Sequence, residues 1–339
     1  MKRLLLAAVG VVLVVLVLRP SRHAEVAVQV SRPALSTVIT IKAYAPAAVV
    51  GPLIEQVFAE FDRIDTVMSR HLAGSELNRV AVAAVAAPAR CSPELAQVLA
   101  ASLRLAARSG GAFDPTLGAL TRLWDFPDAV TPPGAALIEA ARARVGYGQV
   151  QLDGDLLRVR QPGLSLDLGG VAKGYAVDRA VAILQAGGVP AGLVDAGGNI
   201  RYFGVKPDGQ AWRTGIQHPR RPGGVLYAEV DDMPLAGVAT SGDYQQYFEC
   251  QGRRYHHLLD PATGYPATGA ISATAWAATA MEADLLSTAL FVLGPERGVA
   301  WAESLDHVEA LILAADGDSC RAWATSGLVG RCRYLNAAE

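Results

Sequence analysis

The stretch MEADLLSTALFVLG, residues 281–294, is apolar nearly all round at helical spacing, so a helix formed there has to be covered on every side. That requires a folded body able to enclose it, and 339 residues with 51% hydrophobic content allow a core of that size. Of the polar residues that interrupt the stretch, two matter together. Asp284 and Thr288 stand four apart and therefore share one face. A carboxylate, a hydroxyl, a backbone carbonyl and water are the hard oxygen ligands that magnesium or calcium takes, with phosphates commonly completing the sphere. The simpler reading of the helix alone is that Asp284 caps it and Thr288 bonds back to the preceding turn.

Around this helix the chain mixes strands and helices irregularly. TVITIKAYA (37–45) alternates like a strand, and VVGPLIEQVFAEFDRIDTVMSR carries helical spacing. A polar loop is expected around GSELNR, a helix from Pro93 to Ser109, and a punctuated turn at GGAFDPTLGAL (110–120). LSLDL (164–168) reads as a strand, followed by GGVAKG, a helix through YAVDRAVAILQAGG and strand character in AGLVDAGGNIRYFG. WRTGIQ, LYAEV, RYHHLL, ISATAWA and EALILAA are further strands. The pattern predicts an α+β fold with two lobes sharing one site and disfavours a doubly wound nucleotide fold.

The first residues differ in kind. Lys2 and Arg3 precede the uncharged run Leu4–Leu18, which ends at Arg19-Pro20-Ser21-Arg22. A helix over that run spans roughly 22 Å against a hydrocarbon core of roughly 30 Å, short for a membrane span unless its flanks contribute. A cleavage site wants small residues at its last and third-last positions, but Ala24 is paired with Arg22 and Ala27 with Glu25. The reading favours an uncleaved anchor over a cleaved signal peptide, with residues 1–22 as the anchor and 23–339 as one exported domain.

The formal charge of −2 gives no basic field, which argues against a nucleic-acid partner. Cys91, Cys250, Cys320 and Cys332 form no CxxC pair, so metal–thiolate chemistry is excluded. Cys320 and Cys332 closing a short loop and free thiols at both positions are equally open readings.

Three further stretches carry chemistry. In DLGGVAKG two glycines let the backbone approach a ligand, and Lys173 opens a helix where free amides and the dipole favour an anion. It matches neither common phosphate motif, and a tight turn with a surface lysine explains it as well. Yet the chain has only Lys2, Lys42, Lys173 and Lys206, so a lysine here departs from its habit of arginine, and a compact ammonium suits phosphate. Asp167 either accepts from a ligand or caps the following turn, and Asp195 before Gly197-Gly198 offers a second glycine turn that could converge on the same ligand. In YHHLLDPATGYP adjacent histidines on a strand point to opposite faces, so only one enters a shared site, His257 being the candidate general base.

In order and wording, MSRHLAGSELNR (68–79), GGAFDPTLGAL (110–120), LDLGGVAKGYAVDRA (166–180), DAGGNI (195–200), ATSGDYQQYF (239–248), HHLLDPATGYP (256–266) and ADLLSTALFVLG (283–294) resemble the ApbE family of FAD-dependent flavin transferases. The resemblance runs from about Leu35 to the C-terminus. It implies an ApbE-like, T-fold-like two-lobed domain with mixed or antiparallel sheets and packed helices. It further implies a periplasmic or membrane-attached enzyme that binds FAD and a divalent metal, Mg²⁺ or else Ca²⁺. Such an enzyme transfers FMN to a Thr or Ser of a target protein and releases AMP.

By the same resemblance the metal ligands fall on the Gly170 carbonyl, Asp284 and Thr288, with Ser287 adjacent. The FAD contacts fall on Leu35, His71, the Ala112-Phe113-Asp114 turn, Asp167, Lys173 and Leu258. His257 matches the family's base, with Asp284 holding the catalytic metal. Leu35-Ser36-Thr37 stands where the family often has Met-Gly-Thr, His71 where a tyrosine often lies against the flavin, and Ser287 adds a hydroxyl. No cysteine follows the hydrophobic segment, so the N-terminal helix would replace a lipid anchor at the inner membrane. The implied partner is a flavoprotein or redox-complex subunit carrying an Asp-x-x-(Ser/Thr)-Gly-Ala-(Ser/Thr) segment. A metal-dependent FAD pyrophosphatase and a non-catalytic periplasmic flavin-binding protein are the competing readings.

Overall fold

A computed structural model describes residues 27–335 apart from Pro127, Pro222, Val225 and Asp318. The expected N-terminal anchor and the 22/23 domain boundary lie outside the described residues. No helix among the described residues is long and apolar enough to cross a membrane.

Eight strands form one sheet in the order Ala27–Ala34, Thr37–Tyr44, Gly192–Ala196, Asn199–Phe203, Gly237–Gly242, Ser272–Ala277, Glu309–Asp316 and Ser319–Ala324, every neighbouring pair antiparallel. Its inner strands are covered on both faces, and their alternation records it. Ala273, Ala275 and Ala277 join the main core, whereas Trp276 faces the other way into a second cluster with Val238, Leu311 and Leu313. A three-stranded sheet of Arg213–Gln217, Leu226–Asp231 and Cys332–Tyr334 covers that second face through Ile216, Tyr227 and Val230.

The helices are α1 (Ala47–Met68), α2 (Glu76–Ala86), α3 (Pro93–Arg108), α4 (Gly118–Trp124), α5 (Ala135–Arg142), α6 (Ala172–Ala186), α7 (Ala280–Leu293) and α8 (Pro295–Glu303). The all-round apolar helix is α7, and it is buried on nearly every side against strands Gly237–Gly242 and Ser272–Ala277 and against α6. Leu285, Leu286, Leu290 and Phe291 are each under 5% exposed; burying each such side chain is worth roughly 1.5–3 kcal/mol. Only small groups let α7 come this close: a side chain on Gly237 would begin 2.2 Å from the Thr279 carbonyl oxygen.

Helices α2 to α5, with short strands Ala89–Arg90, Leu156–Val159 and Val150–Asp153, make the remaining lobe. Its aliphatic core is continuous with the first through Leu77, Leu95, Leu99 and Leu157. Near α4, Trp124, Phe126, Phe248 and Tyr255 stack with centroids 5.3–5.9 Å apart, and Trp124 donates to the Gly264 carbonyl at 2.8 Å.

Two local expectations are corrected. LSLDL is not a strand: its alternating pattern is met by one parallel bridge, Leu117 with Ser165, and by the Asp167 amide donating to the Pro115 carbonyl at 2.8 Å. GSELNR is not a loop throughout, because Ser75 accepts the Asn78 amide and starts α2. The first strand, Ala27–Ala34, lies at the sheet edge, where Pro33 costs no ladder bond. All four cysteines are free thiols.

Candidate active site

Where α6 and α7 cross, each begins against the other. Thr279 caps α7 by accepting the Glu282 amide at 3.1 Å, so Asp284 is not the cap of its own helix. Instead Asp284 Oδ2 accepts the Gly174 amide of α6 at 2.9 Å, because Val171 at that helix's start has no capping side chain. Thr288 does bond back, donating to the Asp284 carbonyl at 3.3 Å, which leaves its oxygen lone pairs for other use.

These groups open onto a cavity of about 1050 Å³, large enough for a dinucleotide. Of the positions singled out in the sequence, Leu35, His71, Ala112, Phe113, Asp114, Asp167, Gly170, Lys173, His257, Leu258, Asp284 and Thr288 all line it. Ser287 does not: its buried hydroxyl pairs with Ser241 at 3.0 Å and donates to the Asp284 carbonyl at 3.0 Å. The two glycine turns, Gly169-Gly170 and Gly197-Gly198, converge on this one space, as does Asp195.

Gly170 approaches α7 closely. A Cβ there would lie 3.0 Å from Thr288 Oγ1 and 3.1 Å from the Phe113 ring. Lys173 Nζ donates to the Gly169 carbonyl at 3.2 Å, folding the ammonium over the same turn. Asp167 uses one oxygen to accept the Gly169 amide at 2.8 Å and the other to pair with Arg70 at 3.1 Å, so it holds its turn and is neutralised within the protein. Asp114 is buried and braces two loops by accepting from Thr116 and from the Tyr147 amide; burial pushes its carboxyl up.

His257 follows the strand end at His256. Its Nδ1 lies 3.3 Å from the Gln246 carbonyl, a geometry that assigns the proton to Nδ1 and leaves Nε2 as an acceptor. Burial, assisted by the Lys173 charge, holds its pKa down to about 4, so the ring is neutral at pH 7. Its neighbour His256 turns into the core, 5.4 Å edge-on to Phe291.

Arg70, Ser241, Gln245 and Phe126 line the cavity without having been singled out in the sequence. Arg70 and Ser241 lie within MSRHL and ATSGDY, so the motifs marked the segments but not which side chain turns inward.

A model of the ApbE family matches residues 35–312. The chain belongs to the ApbE family. A curated relative, the FAD:protein FMN transferase of Treponema pallidum, is 36% identical over 325 residues, covering 89% of this chain and 88% of the relative. Among solved structures, the ApbE protein from Thermotoga maritima is similar with TM-score 0.81 and 31% identity, over 90% of this chain and 99% of that one. The Pseudomonas stutzeri flavinyl transferase ApbE, apo form, gives TM-score 0.78 and 34% identity, covering 90% and 96%. The ApbE fold expected from the motifs is therefore the fold observed.

The cavity of this ApbE member fits a hard divalent cation. Asp284 is 4% exposed, one oxygen is bonded to Gly174, and the other accepts no hydrogen bond from the described residues. Burial pushes that carboxyl up, which a bound cation would reverse. No group of three or more His, Cys, Asp or Glu that could hold a metal exists among the described residues. The protein thus offers a sparse oxygen set that a ligand's own oxygens would complete. Charge points the same way: Asp65, Asp114, Asp167, Asp195 and Asp284 line the cavity against Arg70 and Lys173, five carboxylates to two permanent cations. A pyrophosphate entering there needs added positive charge.

Proposed function

We propose that this chain is an FAD:protein FMN transferase that moves FMN from FAD to a Thr or Ser hydroxyl of a target protein, with Mg²⁺, and releases AMP. It is an enzyme of the transferase class. The observation that carries the reading is one cavity in which the Lys173 end of α6, the Asp284–Thr288 face of α7 and neutral His257 come together.

The roles follow from position. Lys173 and the opening of α6 would hold the pyrophosphate, with the small Gly169-Gly170 turn admitting it to the backbone. Gly170, Asp284 and Thr288 would hold the cation, which when bound supplies charge neutralisation and makes the FMN phosphorus more electrophilic. His257 Nε2 would take the proton from the incoming hydroxyl as its oxygen attacks that phosphorus and the bond to the AMP phosphate breaks. Lys173 would then steady the charge on the departing AMP. Leu35, His71, Ala112, Phe113 and Leu258 are the less polar part of the wall and would enclose the flavin, the His71 imidazole offering a stacking face.

The basic start and apolar run at residues 2–18 support an exported, periplasm-facing enzyme tethered at the inner membrane, acting on a redox flavoprotein with the Asp-x-x-(Ser/Thr)-Gly-Ala-(Ser/Thr) segment. The test mixes purified protein, FAD, Mg²⁺ and a target carrying that segment. Flavin fluorescence on the target after denaturing electrophoresis, with one AMP per label, is the expected result. Free FMN plus AMP with no label would replace the transferase by a pyrophosphatase; neither product would remove the reading.

A further inference from the structure

Asp178 lies on α6, outside the cavity, and none of the roles above uses it. Its Oδ1 accepts the Ala280 amide at 3.0 Å and Arg201 Nη1 at 2.6 Å, and its Oδ2 accepts the Met281 amide at 2.9 Å. Those are the first two amides of α7, which the Thr279 hydroxyl does not reach. Asp284, four residues along α7 from Ala280, returns the bond to Gly174 near the start of α6. Each helix start is thus closed by a carboxylate from the other helix.

The contact leaves no slack. A Cβ on Gly174 would sit 2.3 Å from the Ala280 carbonyl oxygen and 2.8 Å from Asp284 Cβ. Sliding α7 by a single residue, roughly 1.5 Å, would break the bonds at Ala280, Met281 and Gly174 together. The Asp178 and Arg201 side chains are 15% and 27% exposed, so the pair is sheltered from solvent screening. Arg201 projects from strand Asn199–Phe203, which ties the helix pair to the sheet.

We propose that Asp178, held by Arg201, is a positioning residue that sets the divalent-cation affinity of the Asp284–Thr288 face by fixing where α7 stands against α6. This rests on the metal reading of the cavity. It assigns Asp178 no contact with substrate. Loosening the α7 start lets Asp284 drift from the Gly170 turn while the flavin wall, built from other elements, stays in place.

The experiment uses the full chain and its Asp178→Asn, Arg201→Gln and Arg201→Lys variants, following FAD binding by flavin fluorescence in EDTA and through a Mg²⁺ titration. FAD affinity in EDTA should stay within about twofold of the parent, while the Mg²⁺ midpoint rises about tenfold in Asp178→Asn and Arg201→Gln, on the scale of losing helix caps. Arg201→Lys, which keeps the charge, should return most of the shift. An unmoved midpoint in both variants overturns the inference, as does an EDTA affinity that falls by the same factor as the midpoint rises. If Asp178→Asn yields no folded protein, Arg201→Gln decides alone. A parent whose FAD binding ignores Mg²⁺ overturns the metal reading and this inference with it, whereas a responsive parent with equally responsive variants overturns this inference only.

Discussion

Asp284 and Gly174 are 110 residues apart in sequence, yet the carboxylate of one accepts the amide of the other at 2.9 Å. That bond separates two jobs of Asp284, holding α6 and presenting its second oxygen to the cavity. Asp284→Asn keeps an acceptor for Gly174 and loses the charge. Burial raises this carboxyl, so the unliganded fold is relieved of an ionised group as pH falls and is penalised as pH rises past the ordinary aspartate range. Without Mg²⁺ at pH 7 the variant should therefore melt no lower than the parent, while flavin transfer falls on the order of a hundredfold or more. Calorimetry and in-gel fluorescence check the pair, and a large drop in melting temperature would mean the charge is structural.

Gly174 tolerates no side chain. Gly174→Ala forces its methyl against the Ala280 carbonyl, and overpacking of this kind costs about 1–3 kcal/mol, ahead of any helix-propensity gain. Urea unfolding should show the loss; a stabilised variant would contradict the described crossing.

His257 gives a pH signature. Its pKa is depressed from 6.5 to about 4, burial first and Lys173 second. The unfolded chain takes up a proton as pH falls below about 6.5 while the native chain resists until about 4, so this contribution is present above 6.5 and is lost between those values. Parent stability should drop more steeply between pH 6.5 and 4 than that of His257→Gln, by up to about one proton in the slope. Transfer by the parent should also persist at pH 5.5, where an ordinary histidine is mostly protonated. Equal slopes in parent and variant would remove the buried, neutral imidazole from the account.

Ser36 is the fourth test. With Leu35 it makes the two-residue turn between the first two strands, both at positive φ, 49° and 58°. Such turns favour glycine, since a left-handed residue with a side chain costs roughly 1–2 kcal/mol. Ser36→Gly should stabilise the chain by about 0.5–1 kcal/mol after glycine's larger entropy in the unfolded state is counted. A lowered melting temperature would show that the Ser36 side chain has a packing role.

The sequence alone determined the elements whose signal is local. An all-round apolar run forces α7 into the interior wherever it lies, 3.6-residue spacing sets α1 and α3, and paired glycines mark turns that line the cavity. LSLDL failed because its alternation lies in residue type alone: Leu164, Ser165, Leu166 and Leu168 are all buried, and the backbone finds a single bridge rather than a ladder. Only the tertiary structure decided which groups serve the cavity. Asp284 caps a foreign helix, Asp178 returns the cap, Arg70 neutralises Asp167, and Ser287 turns away to Ser241. Each of these bonds joins segments that only the packing of helices on the sheet brings within 3 Å or so. Local periodicity fixes the face a side chain occupies, but the partner on that face is supplied by the rest of the fold.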